Sequence, residues 1–511
     1  MIRAALVSVV VALVGASCSG GGSRPARPER GGTLRIGVIG VTTLDPVRSD
    51  LPGPALVSSL LFEPLARIDP VTTLPRPALA RRWESDASQT HFTFMLRSGA
   101  RFHDGTPVTA ADVVATIQRV QAPETKSVFG GLLARIQSIT ARDPHTVAIV
   151  LNQPLSVLPS VLAQPGLGIM PRALLGTPDR LAGSPVGSGP FRFVRQSGST
   201  IELTAVRARG ARKNTPPWVD RVRLVQFPSA SAAYAAYRAG HLDVAPLSRA
   251  ESEDVDRRHG RLAAGPYLAV SFYALNLHDP KLADVRFRQA IIRGLDASAL
   301  VRAAYGSTAQ VASGLIPLGV PGGPSVSCRA RCSFDPAASR RLLAEAFPNG
   351  QVPAIAIDYD DDPTQSALVT EAKRQLAAVG IPAEARPHSV DTYGAFLASG
   401  QAEMFRFGWV ADYPSAETFL SPLFVGGVRE NITGTSSQAF DDALRAAERE
   451  PDVARRVADF GRAEMAVLDQ YAVAPVVQFE TRVAVGTPVH GLRLDPFGTF
   501  DGASVWLSPR S

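Results

Sequence analysis

Short apolar strands alternate with helices along most of this sequence, and that succession constrains the fold more than any single motif. Residues 221–226 form a candidate strand, 230–239 a helix that ends at Gly240, and 242–245 the start of another strand. A strand–helix–strand order predicts βα units. The chain is therefore expected to be an α/β protein with mixed sheets.

The same pattern of apolar periodicity recurs from one end of the chain to the other. Strands are predicted at 33–39, 91–97, 146–151, 268–275, 355–359, 404–409 and 473–479, and helices at 55–68, 110–120, 285–295, 335–347, 365–379, 441–447 and 453–470. With 511 residues, 45% of them hydrophobic, the chain can bury large cores and should form at least two lobes.

The charge balance argues against a nucleic-acid partner. The 53 Lys and Arg exceed the 46 Asp and Glu, which gives a net charge of +7. The excess is spread along the chain without a block of like charges, so we interpret it as a solvated basic surface, suited to an anionic envelope.

The N-terminus has the layout of a signal peptide, predicted at 1–17. A charged start precedes an apolar run at 4–14 that is too short to span a membrane, and small residues then lead to Cys18. This order resembles a bacterial lipobox, in which Cys18 would carry the lipid. Gly15 departs from that pattern, so ordinary cleavage beside an incidental cysteine remains an alternative. Residues 18–30 are rich in Gly, Ser and Pro and predict a flexible tether.

The other two cysteines, Cys328 and Cys332, lie in a loop rich in Pro, Gly and Ser. Outside the cytoplasm this pair predicts a small disulfide. The eight histidines are scattered, and no ligand cluster accompanies the cysteines, so we predict neither a metal nor another cofactor.

Residues 406–414, which read RFGWVADYP, hold the most chemical information. They place a cation at Arg406, an aromatic ring at Trp409 and an anion at Asp412, where a strand gives way to a loop. A zwitterionic ligand suits this trio, because a guanidinium can bind its carboxylate and a carboxylate its amine. Taken alone, the residues also fit a buried tryptophan beside a surface ion pair.

Several motifs, in order over about 380 residues, resemble those of the family 5 extracellular solute-binding proteins, the oligopeptide- and dipeptide-binding lipoproteins of ABC importers. The motifs are GGTL (31–34), TLDP (43–46), LARRWE (79–84), FMLR (94–97), FHDG (102–105), TAADV (109–113), PVGSGPF (185–191), DVRFRQA (284–290) with Asp296, and GWVADYP (408–414).

This resemblance implies a two-lobe fold like that of periplasmic binding proteins of the large class C type, with mixed sheets and two hinge crossings. Lobe I is expected at 31–267 plus 480–511, with an inserted subdomain at about 60–185, and lobe II at 268–479. The runs at 94–113 and 284–296 are expected to serve folding.

The resemblance also assigns binding residues by motif position. Asp412 is expected to accept the ligand's amino group, and Arg406 to face its carboxylate. Trp409, with Gly408 beside it, is expected to line a side-chain pocket. Further candidates, at positions where relatives offer backbone and aromatic contacts, are Val41, Phe272 and Tyr273.

The implied function is an extracytoplasmic receptor, expected to be a lipid-anchored monomer, that captures short peptides or amino-acid-like ligands for an ABC permease. Haem, a metal chelate, an opine or a sugar are alternative ligands, because one fold can host many functions. A non-transport envelope lipoprotein is a second class, and Ser188, where the motif usually has Thr, leaves room for it. No catalytic constellation stands out, so we do not expect an enzyme.

Overall fold

The computed structural model describes residues 27–207, 215–258, 260–321, 323 and 328–509. The predicted signal peptide, Cys18 and most of the tether lie outside these ranges. None of the helices in the described part of the chain has the length and apolar character that a membrane span requires.

The first half of the chain folds into eleven strands and six helices within the described ranges. In order they are β1 (Thr33–Val38), α1 (Pro52–Leu61), β2 (Ala66–Ile68), β3 (Pro75–Pro77), β4 (Ala80–Ser85), β5 (His91–Leu96), α2 (Ala110–Gln121), β6 (Ile136–Asp143), β7 (Thr146–Leu151), α3 (Leu158–Val161), α4 (Pro178–Gly183), β8 (Phe191–Ser197), β9 (Thr200–Ala205), β10 (Arg221–Gln226), α5 (Ala230–Arg238), β11 (Val244–Pro246) and α6 (Arg249–Arg258).

The second half continues with longer helices between the strands. In order they are β12 (Arg261–Leu275), α7 (Val285–Arg293), α8 (Ala297–Tyr305), β13 (Gln310–Val311), α9 (Arg329–Cys332), α10 (Pro336–Ala346), β14 (Ile355–Asp360), α11 (Pro363–Val379), β15 (Ala383–His388), α12 (Val390–Ala398), β16 (Met404–Val410), α13 (Glu417–Phe424), α14 (Gln438–Arg449), α15 (Val453–Leu468), β17 (Val473–Val485), β18 (Val489–His490) and β19 (Trp506–Leu507).

One sheet of eleven strands runs through the molecule. Its order is β15-β14-β16-β12-β17-β11-β1-β10-β9-β8, and β13 adds to β17. Both parallel and antiparallel pairs occur, since β1 is parallel to β10 and β12 is antiparallel to β16. A separate four-stranded sheet, β4-β5-β7-β6, lies within the predicted inserted subdomain.

Strands β12 and β17 connect the two ends of this sheet. They pair from Arg261 with Val485 to Pro266 with Glu480, and the pairing resumes at Val270 with Gln478. At about 3.3 Å per residue, β12 spans roughly 50 Å, enough to pass from one core to another. The strands predicted at 268–275 and 473–479 are thus only the second half of β12 and the first half of β17.

The buried side chains form separate cores on either side of the gap in the β12–β17 pairing. The first core is built from residues of 34–244 and 483–505, with Tyr413 as an addition from β16's end. Two further cores use residues of 268–477. Below, lobe I means the part around the first core and lobe II the part around the other two; their boundaries remain a prediction.

Glycines in the PVGSGPF loop allow the loop to pack against the end of α1. A Cβ on Gly187 would lie 1.9 Å from the carbonyl oxygen of Leu61, and one on Gly189 would lie 2.5 Å from that of Leu60. No larger residue fits without moving the backbone. The helix predicted at 55–68 ends at Leu61, because the chain turns at Pro64 into β2.

Cys328 and Cys332 form a disulfide, as the sequence predicted. The segment leading to it is held by Glu464 of α15, whose carboxylate accepts hydrogen bonds from the backbone N–H groups of Leu315 (2.6 Å) and Ile316 (3.3 Å). Glu464 is 1% exposed, and burial raises its pKa to about 7 despite those two bonds.

Glu464 should therefore make stability depend on pH. Its folded pKa lies above the unfolded value near 4.5, so the charged form disfavours the fold, and stability is lost as pH rises from about 4.5 to about 7. The loss should reach about 3 kcal/mol at most. Glu464→Gln keeps an acceptor without a charge, and urea unfolding should show it equal to wild type at about pH 4 and more stable at about pH 8.

Glu345→Gln, a change at an exposed glutamate of α10, provides the control for this comparison. It should leave the pH profile of the unfolding midpoint unchanged. An unchanged profile in Glu464→Gln as well would mean that the buried carboxylate is not the source of the pH dependence.

Candidate functional site

The two faces of strand β16 contact different cores at its buried start, whereas its end at Val410 is exposed. Phe405, Phe407 and Trp409 point to one face and pack with the second core. Met404 points to the other face and belongs to the third core. Successive side chains of a strand alternate between faces, so Arg406 and Trp409 lie on opposite sides of β16.

Arg406 lies on the face that carries Gly408. Its Nη1 donates to Asp360 Oδ1 (3.3 Å), and a Cβ on Gly408 would be only 3.0 Å from its Nη2. The glycine therefore leaves room for the guanidinium to extend along the strand. The Nε of Arg406 is buried, and no described residue accepts a hydrogen bond from it.

Two tyrosines lie next to Arg406. Tyr273 lies opposite it on β12, with a buried phenol that has no partner in the described ranges. The phenol of Tyr393 donates to the backbone oxygen of Arg406 (2.7 Å). Burial raises the pKa of both phenols, and the charge of Arg406 partly offsets the rise. Both phenols are thus neutral donors at physiological pH.

Asp412 follows the end of β16, close to the strand crossing. The N–H of Ala411 donates to the oxygen of Leu268 on β12 (2.7 Å), which fixes the chain there. The Asp412 side chain reaches solvent, yet partial desolvation raises its pKa, and the negative charges of Asp50 and Glu417 add to this rise. No hydrogen bond or ion pair to Asp412 occurs within the described residues, so a cation would find this carboxylate free.

The neighbouring Glu417 is already engaged. The buried phenol of Tyr413 donates to it, and Arg135 pairs with it at 3.1 Å. Arg135 pairs also with Glu448 of α14, at 3.1 Å. This network joins the start of β6 to α13 and α14 beside Asp412. Sequence reasoning missed it, because no motif connects residues 282 positions apart.

The side chains of the remaining candidates are buried or partly buried. The indole N–H of Trp409 donates to the oxygen of Thr418 in α13 (2.7 Å), and the ring is partly buried. The side chains of Phe272 and Tyr273 are 2% exposed. Val41 is buried in the first core. The sequence spacing suggested that the cation, the ring and the anion lie side by side. In the structure they do not.

The distance along the strand separates the two charged candidates. The guanidinium of Arg406 extends toward Gly408, and four residues lead from there to Asp412, the last two of them beyond the end of β16. At about 3.3 Å for each extended residue, the separation is at most about 13 Å, which leaves room for more than a single amino acid. The arrangement suits an extended ligand with an amine at one end and an acid at the other.

Comparison with known proteins gives concordant matches. Residues 75–431 match the bacterial extracellular solute-binding proteins, family 5 middle region. An ABC transporter peptide-binding protein of Brucella ovis is 28% identical over 427 residues, 78% of each sequence. The dipeptide-binding protein of Escherichia coli K12 is 26% identical over 486 residues, 87% of this chain and 89% of the relative.

Solved structures establish the fold. The periplasmic murein tripeptide-binding protein MppA, in an unliganded open form, superposes with a TM-score of 0.85 at 22% identity, over 95% of this chain and 99% of that one. DppA of Helicobacter pylori, in complex with the peptide STSA, gives 0.68 at 22% identity, over 94% and 99%. The predicted two-lobe α/β fold is confirmed.

Proposed function

Because the chain belongs to the family 5 extracellular solute-binding proteins, we propose that it captures short peptides between its lobes and presents them to an ABC permease. The observation that carries this proposal is the unpartnered carboxylate of Asp412 at the end of β16, beside the strand crossing. Relatives named for peptide binding support it.

A free amine is the group that this carboxylate suits best. Enclosing an ammonium ion without a counter-charge costs several kcal/mol, and a carboxylate that is itself partly desolvated gains most from pairing with one. Haem or a neutral sugar offers no such group. Asp412 therefore favours a ligand with a free amino terminus over these alternatives.

Arg406 is proposed to receive the ligand's carboxylate, with Tyr273 behind it. An extended peptide rises about 3.3–3.6 Å per residue, so a separation of at most about 13 Å accommodates up to roughly three or four residues. Trp409 would line a pocket for one side chain. Closure of the lobes at β12 and β17 would exclude water and complete the contacts.

The proposal includes the attachment to the membrane. Cys18 is proposed to carry a lipid after cleavage of residues 1–17, and residues 18–30 to act as the tether. The receptor would act as a monomer at the outer face of the cell membrane. The lobe boundaries near residues 267 and 480 belong to the same proposal.

A library of di- to pentapeptides tests the proposal. Purified protein is incubated with the library, separated from free peptides, denatured, and the released peptides are identified by mass spectrometry. We expect enrichment of tri- and tetrapeptides, loss of capture after N-acetylation of the library, and weaker capture after C-terminal amidation. Equal capture of free and acetylated peptides would contradict the role of Asp412 and the peptide proposal with it.

A further inference from the structure

A basic pocket of about 810 Å³ opens on lobe I, on a wall that shares no residue with the peptide site. It lies where the inserted subdomain meets β8, the edge strand of the large sheet. Its arginines are Arg67, Arg97, Arg101, Arg192 and Arg207. Glu63 is the one acidic side chain among the described residues of the wall.

Some of these guanidinium groups are held in place by ion pairs. Arg97 pairs with Glu63 at 2.7 Å. Arg207 pairs with Asp220 at 2.9 Å and donates also to the backbone oxygen of Val219. Such fixed guanidinium groups are ordered in advance for a ligand, because their side-chain entropy has already been lost.

Two arginines on the wall have no carboxylate partner among the described residues. The side chain of Arg192 makes no hydrogen bond or ion pair there. The side chain of Arg101 donates only to the backbone oxygen of Gly105 (2.7 Å). Both side chains are exposed. The pocket therefore has uncompensated positive charge, which a concave surface concentrates.

The wall beside Arg192 is held by hydrogen bonds of a histidine. The N–H of Gly187 donates to Nδ1 of His103 (3.2 Å), so Nε2 carries the proton that His103 donates to the oxygen of Gly189 (3.1 Å). Burial lowers the pKa of His103, and together with the nearby charge of Arg192 it outweighs the hydrogen bond to Gly189 and the charge of Asp104, which act in the opposite direction. The imidazole thus stays neutral and fixes the glycine loop.

Two buried polar atoms on this wall have no partner within the described residues. They are Oγ of Ser188 and Nε of Arg207. Buried polar groups in proteins are nearly always hydrogen-bonded, and an exception calls for a bound water or ion. Both groups can donate, so an acceptor would satisfy both, and the positive charge of the pocket favours one that is negatively charged.

We propose that this pocket binds a phosphate-bearing anion. Phosphate oxygens match the fork of a guanidinium group, and several arginines can engage a diphosphate or a lipid phosphate at once. The anion could be free or could belong to an anionic head group, and the chemistry of recognition is the same in both cases. Binding there would leave the peptide site unobstructed.

Calorimetric titration with inorganic pyrophosphate, at constant low ionic strength, tests the site. The double variant Arg101→Glu/Arg192→Glu should weaken binding by about tenfold or more. The control is Arg81→Glu/Arg142→Glu, an equal charge change at two exposed arginines outside the pocket wall. It should stay within about twofold of wild type. Circular dichroism and thermal melting check that all variants fold.

Vesicle flotation distinguishes the two sources of the anion. Selective loss of pyrophosphate binding in the pocket variant, without flotation on phosphatidylglycerol vesicles, supports a free anion. Flotation on phosphatidylglycerol but not phosphatidylcholine vesicles, lost in the pocket variant and kept in the control, supports a lipid head group. Equal losses in both variants, or no binding of either probe by wild type, would overturn the proposal.

Discussion

Replacing Asp412 with asparagine is expected to abolish useful capture of ligands with a free amino terminus. Truncating one partner of an enclosed charge pair typically costs about 2–5 kcal/mol. That range corresponds to a loss of affinity of roughly 30-fold to several thousand-fold. The asparagine keeps the size of the side chain and an oxygen acceptor, so the loss would report the charge and not the shape of the site.

The fold of this variant should be intact. The pKa of Asp412 is raised in the folded protein, so its charge disfavours the fold above the unfolded pKa, and Asp412→Asn should melt at or above the wild-type temperature. Calorimetry with a captured peptide measures the affinity. Asp50→Asn is the matched control. The charge of Asp50 contributes to the raised pKa of Asp412, but Asp50 does not lie at the end of β16. Similar affinities for Asp412→Asn and wild type would place the amine site elsewhere.

The candidate site was predictable where its residues are contiguous in sequence. Strand β16 and the loop after it carry Arg406 and Asp412 within seven positions, so a motif could identify both. The opposite orientation of Trp409 also follows from the sequence, because residues three apart on a strand face opposite sides. The interpretation of the trio as neighbours neglected this alternation.

Long-range partners could not be predicted in the same way. Arg135 reaches Glu417 and Glu448 only because the residues before β6 lie against α13 and α14. Of the two tyrosines around Arg406, one lies on β12 and the other on α12. Each of these residues has an ordinary local sequence, so only the tertiary structure reveals the network.

The strand lengths show a similar limit of local patterns. The strand predicted from Leu268 begins earlier, at Arg261, and Pro266 lies within it, where the pairing with β17 is interrupted for the next residues. The strand predicted at 473–479 likewise extends further, through Glu480 and Arg482 to Val485. Arg482 donates there to the oxygen of Ser307 in lobe II. Polar residues are tolerated in β17 because it passes between the two lobes.

The largest effect on stability is expected from Arg119→Ala. Arg119 of α2 binds Asp45 with two hydrogen bonds, at 2.5 and 3.0 Å, and their side chains are only 11% and 5% exposed. Removing one partner leaves a buried charge without compensation, which typically costs about 3–5 kcal/mol. Asp45 begins the turn after β1, so the loss should destabilise lobe I. Urea unfolding followed by tryptophan fluorescence should show a lower midpoint.

Comparison with an exposed ion pair of the same chemistry separates the effect of burial on stability from the effect of charge. Arg82 and Glu84 form an ion pair with side chains 58% and 59% exposed, so Arg82→Ala should change stability by less than about 1 kcal/mol. The double variant Arg119→Ala/Asp45→Ala should recover part of the loss, because it removes the stranded carboxylate together with its partner. If Arg119→Ala proved as mild as Arg82→Ala, water would have to reach Asp45, and the buried pair would not hold this turn to α2.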